Sequence, residues 1–121
     1  MEEKRRAPRF LAKWIVKCLC NCTIKEEEKI IYQGVSRDIS ALGVSMVSNF
    51  NICAQKALSV RLTIPGLQKG DQETILYIGS RTTYTVEKDG DFITGIEFLQ
   101  FEQDGAQILR EHLEKRFSAR V

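Results

Sequence analysis

Histidine occurs once in the 121-residue chain, at His112. One imidazole cannot build most acid–base sites, and no serine or cysteine carries a local signature of a base partner. The chain therefore reads as a non-enzyme, with His112 in a surface or capping role. Long apolar runs are also missing: no stretch of about 18 apolar residues occurs, so nothing reads as a membrane span. The N-terminus, MEEKRRAPRF, has two acids and no apolar core, which excludes a secretory signal. Without an export signal, the four cysteines (Cys18, Cys20, Cys22 and Cys53) read as reduced thiols in a cytoplasmic protein. There is no internal repeat and no low-complexity segment.

Hydrophobic residues make up 43% and charged residues 28%, the usage of an ordinary globular domain, so disorder of the whole chain is excluded. The length suits one core. The net charge is only +2, but it is unevenly placed. Residues 1–17 hold Lys4, Arg5, Arg6, Arg9, Lys13 and Lys17 against Glu2 and Glu3, a local +4 that leaves −2 for the remainder. A cluster of this kind suits a compact anion better than a long nucleic acid, which needs a longer basic stripe. No DNA or RNA partner is expected.

Residues 1–11 read as a flexible basic lead-in, and 12–121 as the folded domain. Trp14, Val16, Cys18, Cys20, Cys22 and Ile24 fall on one face at period two, with Lys17, Asn21 and Thr23 on the other, which predicts a strand over roughly Ala12 to Ile24. Lys25 to Lys29 reads as a turn, with Glu26, Glu27 and Glu28 solvated. Strands follow over Ile30 to Val35 and Val44 to Val47, separated by the turn-rich stretch Ser36 to Gly43. Leu58, Val60, Leu62 and Ile64 mark a half-buried strand that Pro65-Gly66 ends. Ile75 to Val86 reads as a long strand with a possible bulge at Gly79, and Asp89-Gly90 as a hairpin turn into Phe92 through Phe98. After Phe101 the spacing becomes helical: Ala106, Leu109, Leu113 and Phe117 predict a helix over Gln103 to Ser118, with Asp104 and Gln107 as a capping box and Lys115, Arg116 and Arg120 at its far end. The expected class is all-β with a terminal helix: a six-stranded antiparallel barrel with one open side capped by that helix.

Three cysteines at C-x-C-x-C raise the question of zinc. On a strand this spacing puts the sulfurs on one face about 7 Å apart, whereas structural zinc sites use C-x₂₋₄-C turns. Packing on the apolar face accounts for them better, and no metal is expected.

Two short motifs carry a functional signal. Arg5 and Arg9 are spaced R-x-x-x-R, with Lys4 and Arg6 beside Arg5. A guanidinium fork grips phosphate bidentately and also fits the O6/N7 edge of guanine. Taken alone, such a run is usually a solvated tail. Asp38-Ile39-Ser40-Ala41-Leu42-Gly43 reads D-x-S-x-x-G. Its carboxylate can accept from the N1–H and N2–H₂ edge of guanine, its serine can meet a phosphate or a base, and its glycine permits close backbone approach or a positive φ. Taken alone, it is more often an Asx turn.

In this order and strand context the pair resembles the PilZ domain family of bacteria, whose hallmarks are R-x-x-x-R before the first strand and [DN]-x-S-x-x-G about thirty residues later. Gly95-Ile96-Glu97-Phe98 is similar to the family's G-[VI]-x-F, and the closing helix also fits. The resemblance covers nearly the whole chain. It implies a six-stranded barrel that binds cyclic di-GMP on its outer face through Arg5, Arg9, Asp38, Ser40 and Gly43, with Lys4 and Arg6 nearby, and that needs no cofactor. The ligand would order the arginine segment and so signal to an effector protein in trans. Tyr84 stands at a family position that is often Trp. A basic residue at Lys4 accompanies, in the family, two stacked ligand molecules. The alternative is a PilZ-like protein-interaction module that binds no nucleotide, although the intact Arg5, Arg9, Asp38, Ser40 and Gly43 speak against it. A non-specific single-strand nucleic-acid barrel would need aromatic platforms beside a basic groove.

Overall fold

Period-two alternation of apolar residues dominates the chain from Trp14 to Phe98, and the computed structural model turns it into a closed barrel. The structure describes residues 7–20 and 30–117. The strands are β1 (Phe10–Leu11), β2 (Ile15–Cys20), β3 (Ile30–Ile39), β4 (Gly43–Ser48), β5 (Ala57–Ile64), β6 (Thr74–Lys88) and β7 (Asp91–Phe101), followed by helix α1 (Gly105–Phe117). All pairings are antiparallel, in the order β1-β3-β2-β5-β6-β7-β4, and β3 also pairs with β4. That pairing closes a six-stranded barrel and leaves β1 as an extra strand beside the end of β3. Val16, Cys18, Val60, Leu62, Ile64 and Ile78 point inward and are fully buried. Cys18 behaves as a small apolar residue: burial pushes its thiol up to about 12. Cys22 and the acidic turn lie outside the described residues, as does the side chain of Cys20.

The first strand differs from its expected span. Phe10 and Leu11, read from the sequence as lead-in, form β1, and residues 12–14 leave the ladder before β2 begins. The cause is Ser36. Its hydroxyl accepts from the Trp14 N–H (2.9 Å) and donates to the Ala12 carbonyl, while its own N–H meets the Trp14 carbonyl (2.8 Å). A side chain thus replaces part of the backbone ladder and lets the chain step sideways. β3 also runs four residues beyond the expected Val35, because residues 38 and 39 find partners on both edges, in β1 and in β4. Tertiary pairing overrides the turn chemistry of this stretch.

The long hairpin follows expectation. Asp89 and Gly90 both have positive φ (54° and 88°), as a type I′ turn requires. The register slips at Gly79/Ser80 and again at Thr82/Tyr84. One extra residue moves the following side chains to the opposite face, so inward Ser80 and Thr82 give way to exposed Tyr84.

Helix α1 places Leu109 and Leu113 in the barrel core. Phe117 stacks on Phe10 (centroids 4.5 Å apart, planes within 5°), and the Arg116 guanidinium lies 5.3 Å from the centre of the Trp14 ring. The helix begins at Gly105 rather than Gln103, whose φ is +52°. The expected capping box does not form, as Gln107 directs its amide forward to Glu111 (3.1 Å). Arg120 lies outside the described residues.

Ser36→Ala should cost about 1–3 kcal/mol, because it strands the buried Trp14 N–H; urea unfolding measures this. His112 yields a pH effect. Burial, then the charges of Arg116 and Lys115, hold its pKa below 6.5 against the opposing pull of Glu111, and its Nδ1 has no partner. The unfolded chain therefore takes the proton first, so this contribution to stability is present above pH 6.5 and falls as the pH drops below it. Thermal melts between pH 7 and pH 5 should show a steeper loss for the wild type than for His112→Gln.

Candidate functional site

The end of β3 brings the two sequence motifs together. Asp38 pairs in register with Leu11 of β1 on one edge and Ser45 of β4 on the other. Arg9, just before β1, is thereby carried to Asp38. Its Nε donates to Asp38 Oδ1 at 2.7 Å, and a terminal nitrogen donates to Ser45 Oγ at 3.3 Å. The Tyr84 hydroxyl lies 3.5 Å from the same serine oxygen. The Asp38 side chain is 16% exposed and that of Arg9 49%, so the carboxylate is anchored while the guanidinium still faces solvent. Of five guanidinium donors, two are engaged.

The rest of the loop has structural work. Ser40 is buried; its hydroxyl accepts from the Leu42 N–H (3.0 Å), and its own N–H meets the Gly43 carbonyl (2.9 Å). The serine hydroxyl thus shapes the loop from inside. Gly43 has no positive φ. It is glycine for another reason: a Cβ there would overlap the carbonyl oxygen of Ile96 on β7. The close approach at this residue is strand to strand.

Gly95-Ile96-Glu97-Phe98 braces the same place. Besides the Ile96 carbonyl against Gly43, the Phe98 N–H meets the Leu42 carbonyl at 2.9 Å. Glu97 is ion-paired with Arg81 at 2.7 Å. Gly95 lies beneath the Tyr84 ring, where any Cβ would collide with ring carbons. The ring rests on this glycine and stays half-exposed.

Together these residues line an open groove of about 1120 Å³ that contains Arg9, Asp38, Ser40, Gly43, Ser45 and Tyr84. Both of its carboxylates, Asp38 and Glu97, are paired with arginine, and Arg37 adds a half-exposed cation at its wall, 3.8 Å from Asp38. The groove can receive an anion with planar, hydrogen-bonding groups. Lys4, Arg5 and Arg6 lie outside the described residues. Sequence reading missed Ser45 and Arg37 as groove residues. Ser45 is a short polar residue between buried Val44 and Met46, and only the β3–β4 register shows that it faces Asp38. Among the described residues, no three His, Cys, Asp or Glu side chains gather as metal ligands.

The sequence pattern of the PilZ domain matches residues 3–115. The chain belongs to the PilZ domain family. PilZ domains are ligand-binding and effector domains, and the family binds cyclic di-GMP and acts on partners. The fold is similar to the structure of the Bacillus subtilis inhibitor of motility (MotI/DgrA), with 15% identity, a TM-score of 0.74, and coverage of 98% of this chain and 54% of that one. The chain thus spans about half the length of that protein. It is also similar to the PilZ domain with c-di-GMP of YcgR from Escherichia coli, with 13% identity, a TM-score of 0.51, and coverage of 98% of this chain and 100% of that one. At these identities the likeness is one of fold. A sequence comparison with curated proteins returned no match.

Because the Gly43 requirement is a strand contact, Gly43→Ala should destabilise the fold by about 1–3 kcal/mol through overpacking. Chemical denaturation without any ligand tests this; unchanged stability would mean that β4 and β7 accommodate the methyl group.

Proposed function

We propose that the groove binds cyclic di-GMP and that the protein is a receptor for it. The observation that carries this reading is the Arg9–Asp38 ion pair, which joins motifs 29 residues apart in one wall of the groove. Asp38 aims the Arg9 fork, and the free guanidinium donors meet a ligand phosphate or the O6/N7 edge of guanine. The remaining lone pairs of Asp38 accept from the N1–H and N2–H₂ edge of guanine. Tyr84, resting flat on Gly95, offers a π-face to a base. Ser40 and Gly43 hold the loop in the shape that presents Asp38.

Arg5 supplies the second fork. Cyclic di-GMP fastens residues 1–6 against the groove, with Lys4 and Arg6 adding positive charge beside the phosphates. The ligand shifts this equilibrium only by its differential affinity for the closed arrangement. The resulting surface recruits or releases an effector protein. Such a messenger is intracellular, so the reading places the protein in the cytoplasm; among the described residues no helix is long and apolar enough to cross a membrane. If Lys4 acts as the family resemblance implies, two stacked ligand molecules bind, carrying four phosphate charges.

Calorimetric titration tests the reading. Cyclic di-GMP should bind, and GTP and cyclic di-AMP should bind far more weakly. Arg9→Ala and Asp38→Ala should each cost about 1.5–3 kcal/mol, roughly ten- to a hundredfold in affinity. A stoichiometry of two ligands per chain that falls to one in Lys4→Ala supports the stacked pair. No binding at tens of micromolar overturns the receptor reading in favour of a module that binds only protein.

A further inference from the structure

The side of the barrel away from the groove has an unusual surface. In the cyclic strand order, β2 stands opposite β7 and β5 opposite β4, and β4 and β7 carry much of the groove. The outer faces of β2 and β5 are therefore turned the other way, and the first halves of β3 and β6, which pair with them, border that side. Register aligns Val35, Ile15, Thr63 and Ile75 in one cross-strand row, and Gln33, Lys17, Arg61 and Tyr77 in the next. Ile31 and Leu19 continue the patch in a third row. The outer face of an antiparallel barrel is ordinarily polar. Here Ile15, Val35, Ile75, Tyr77 and Ile31 are 41–57% exposed, a concentration that marks interaction surfaces.

Two cations sit among them. Lys17 and Arg61 are direct cross-strand neighbours, an arrangement that costs stability when like charges face each other. The ion pairs among the described residues are Arg9–Asp38, Arg37–Asp38 and Arg81–Glu97, so no described carboxylate lies within ion-pair distance of either cation. The Arg61 guanidinium lies 5.5 Å from the centre of the Tyr77 ring, and its buried Nε has no partner. Beside it opens a cavity of about 590 Å³, whose lining includes Leu19, Arg61, Tyr77, Phe101 and Glu102. A preorganised Tyr–Arg pair in an apolar setting is the usual make-up of an interface hot spot.

We propose that this face docks a partner protein through an acidic amphipathic segment, whose carboxylate meets Lys17 and Arg61 while its apolar side covers Ile15, Ile75 and Tyr77. The charge of the patch selects an acidic partner, and its aliphatic rows select one with an apolar face. A nucleic acid is a poor fit, because its interfaces are far more cationic and more polar. The inference concerns the side of the barrel away from the groove and stands whether or not the groove takes a nucleotide.

The test is a nitrogen-15 NMR titration of the full chain with a short helical peptide bearing leucines on one face and glutamates on the other. Controls are the same peptide with lysines for glutamates, and phosphatidylglycerol vesicles. The expected result is saturable shifts of β2, β5 and β6 amides, weakened by added salt, with the lysine peptide inert. Arg61→Glu and Tyr77→Ala should each weaken binding at least tenfold. Lys17→Glu, on the neighbouring strand, serves if Arg61→Glu does not fold. Lack of saturation at millimolar peptide, equal binding of both peptides, or shifts confined to the groove would overturn the proposal. So would vesicle binding without peptide binding, which makes the face a membrane surface. A dimer in sedimentation that Arg61→Glu dissolves would also overturn it, since the occupant is then a second copy.

Discussion

Pairing of β3 along both edges is the constraint on which the rest of the molecule depends. One edge holds β2 and then β1; the other holds β4, which closes the barrel. Closure removes free strand edges and lets Val16, Leu62, Ile64 and Ile78 converge on one core. The change from β2 to β1 along the same edge is made possible by Ser36, which satisfies the backbone where the ladder is interrupted. That step places Arg9 beside Asp38. The groove is therefore a by-product of how the barrel handles one irregular stretch in the pairing of β3.

Electrostatics in the groove follows a single pattern. Each carboxylate is held by an arginine from another strand or segment; at Asp38 the partner, Arg9, lines the groove, whereas at Glu97 the partner, Arg81, does not. Asp38 is mostly buried and Arg9 is half-exposed, which fixes the acid and leaves the base facing solvent. An exposed ion pair of this kind adds little to stability. What it does is hold the Arg9 fork in one orientation, and a fork already aimed would lose less freedom in the binding proposed above. The brace from β7 serves the same end: Gly95 seats Tyr84, and the Ile96 and Phe98 backbones lock the loop.

The two faces of the barrel differ in chemistry. The groove is polar, with its charges paired within the protein. The β2–β5 face is aliphatic, with two cations that have no acidic partner among the described residues. β2 connects them: its start lies a few residues after Arg9, and its outward side chains Ile15 and Lys17 belong to the docking face. A ligand that grips Arg9 and a protein that grips Lys17 would act on neighbouring parts of one chain segment.

Much of this was legible in the sequence. Alternation over Leu58–Ile64, the Asp89-Gly90 turn and the stripe Leu109–Leu113 are local signals, and local chemistry marked those elements; at Gly79 the register does slip, but the extra residue is Leu99 on β7. The pairing of the two motifs was legible in part: the structure brings Arg9 of one to Asp38 of the other, while Arg5 lies outside the described residues. What the sequence could not decide depends on partners far along the chain. The extension of β3 to Ile39 arises from edges supplied by β1 and β4, against the turn preference of Ser36 to Gly43. Tyr84 faces outward because a second bulge at Thr82/Tyr84 reverses the alternation, and no residue type there announces it. Gly43 is glycine because the Ile96 carbonyl is near, a contact across 53 residues that only the closed barrel creates. Residue type and period determined which segments are strands and which chemistry they carry; barrel closure decided which side chains meet, because register is a property of two strands and never of one.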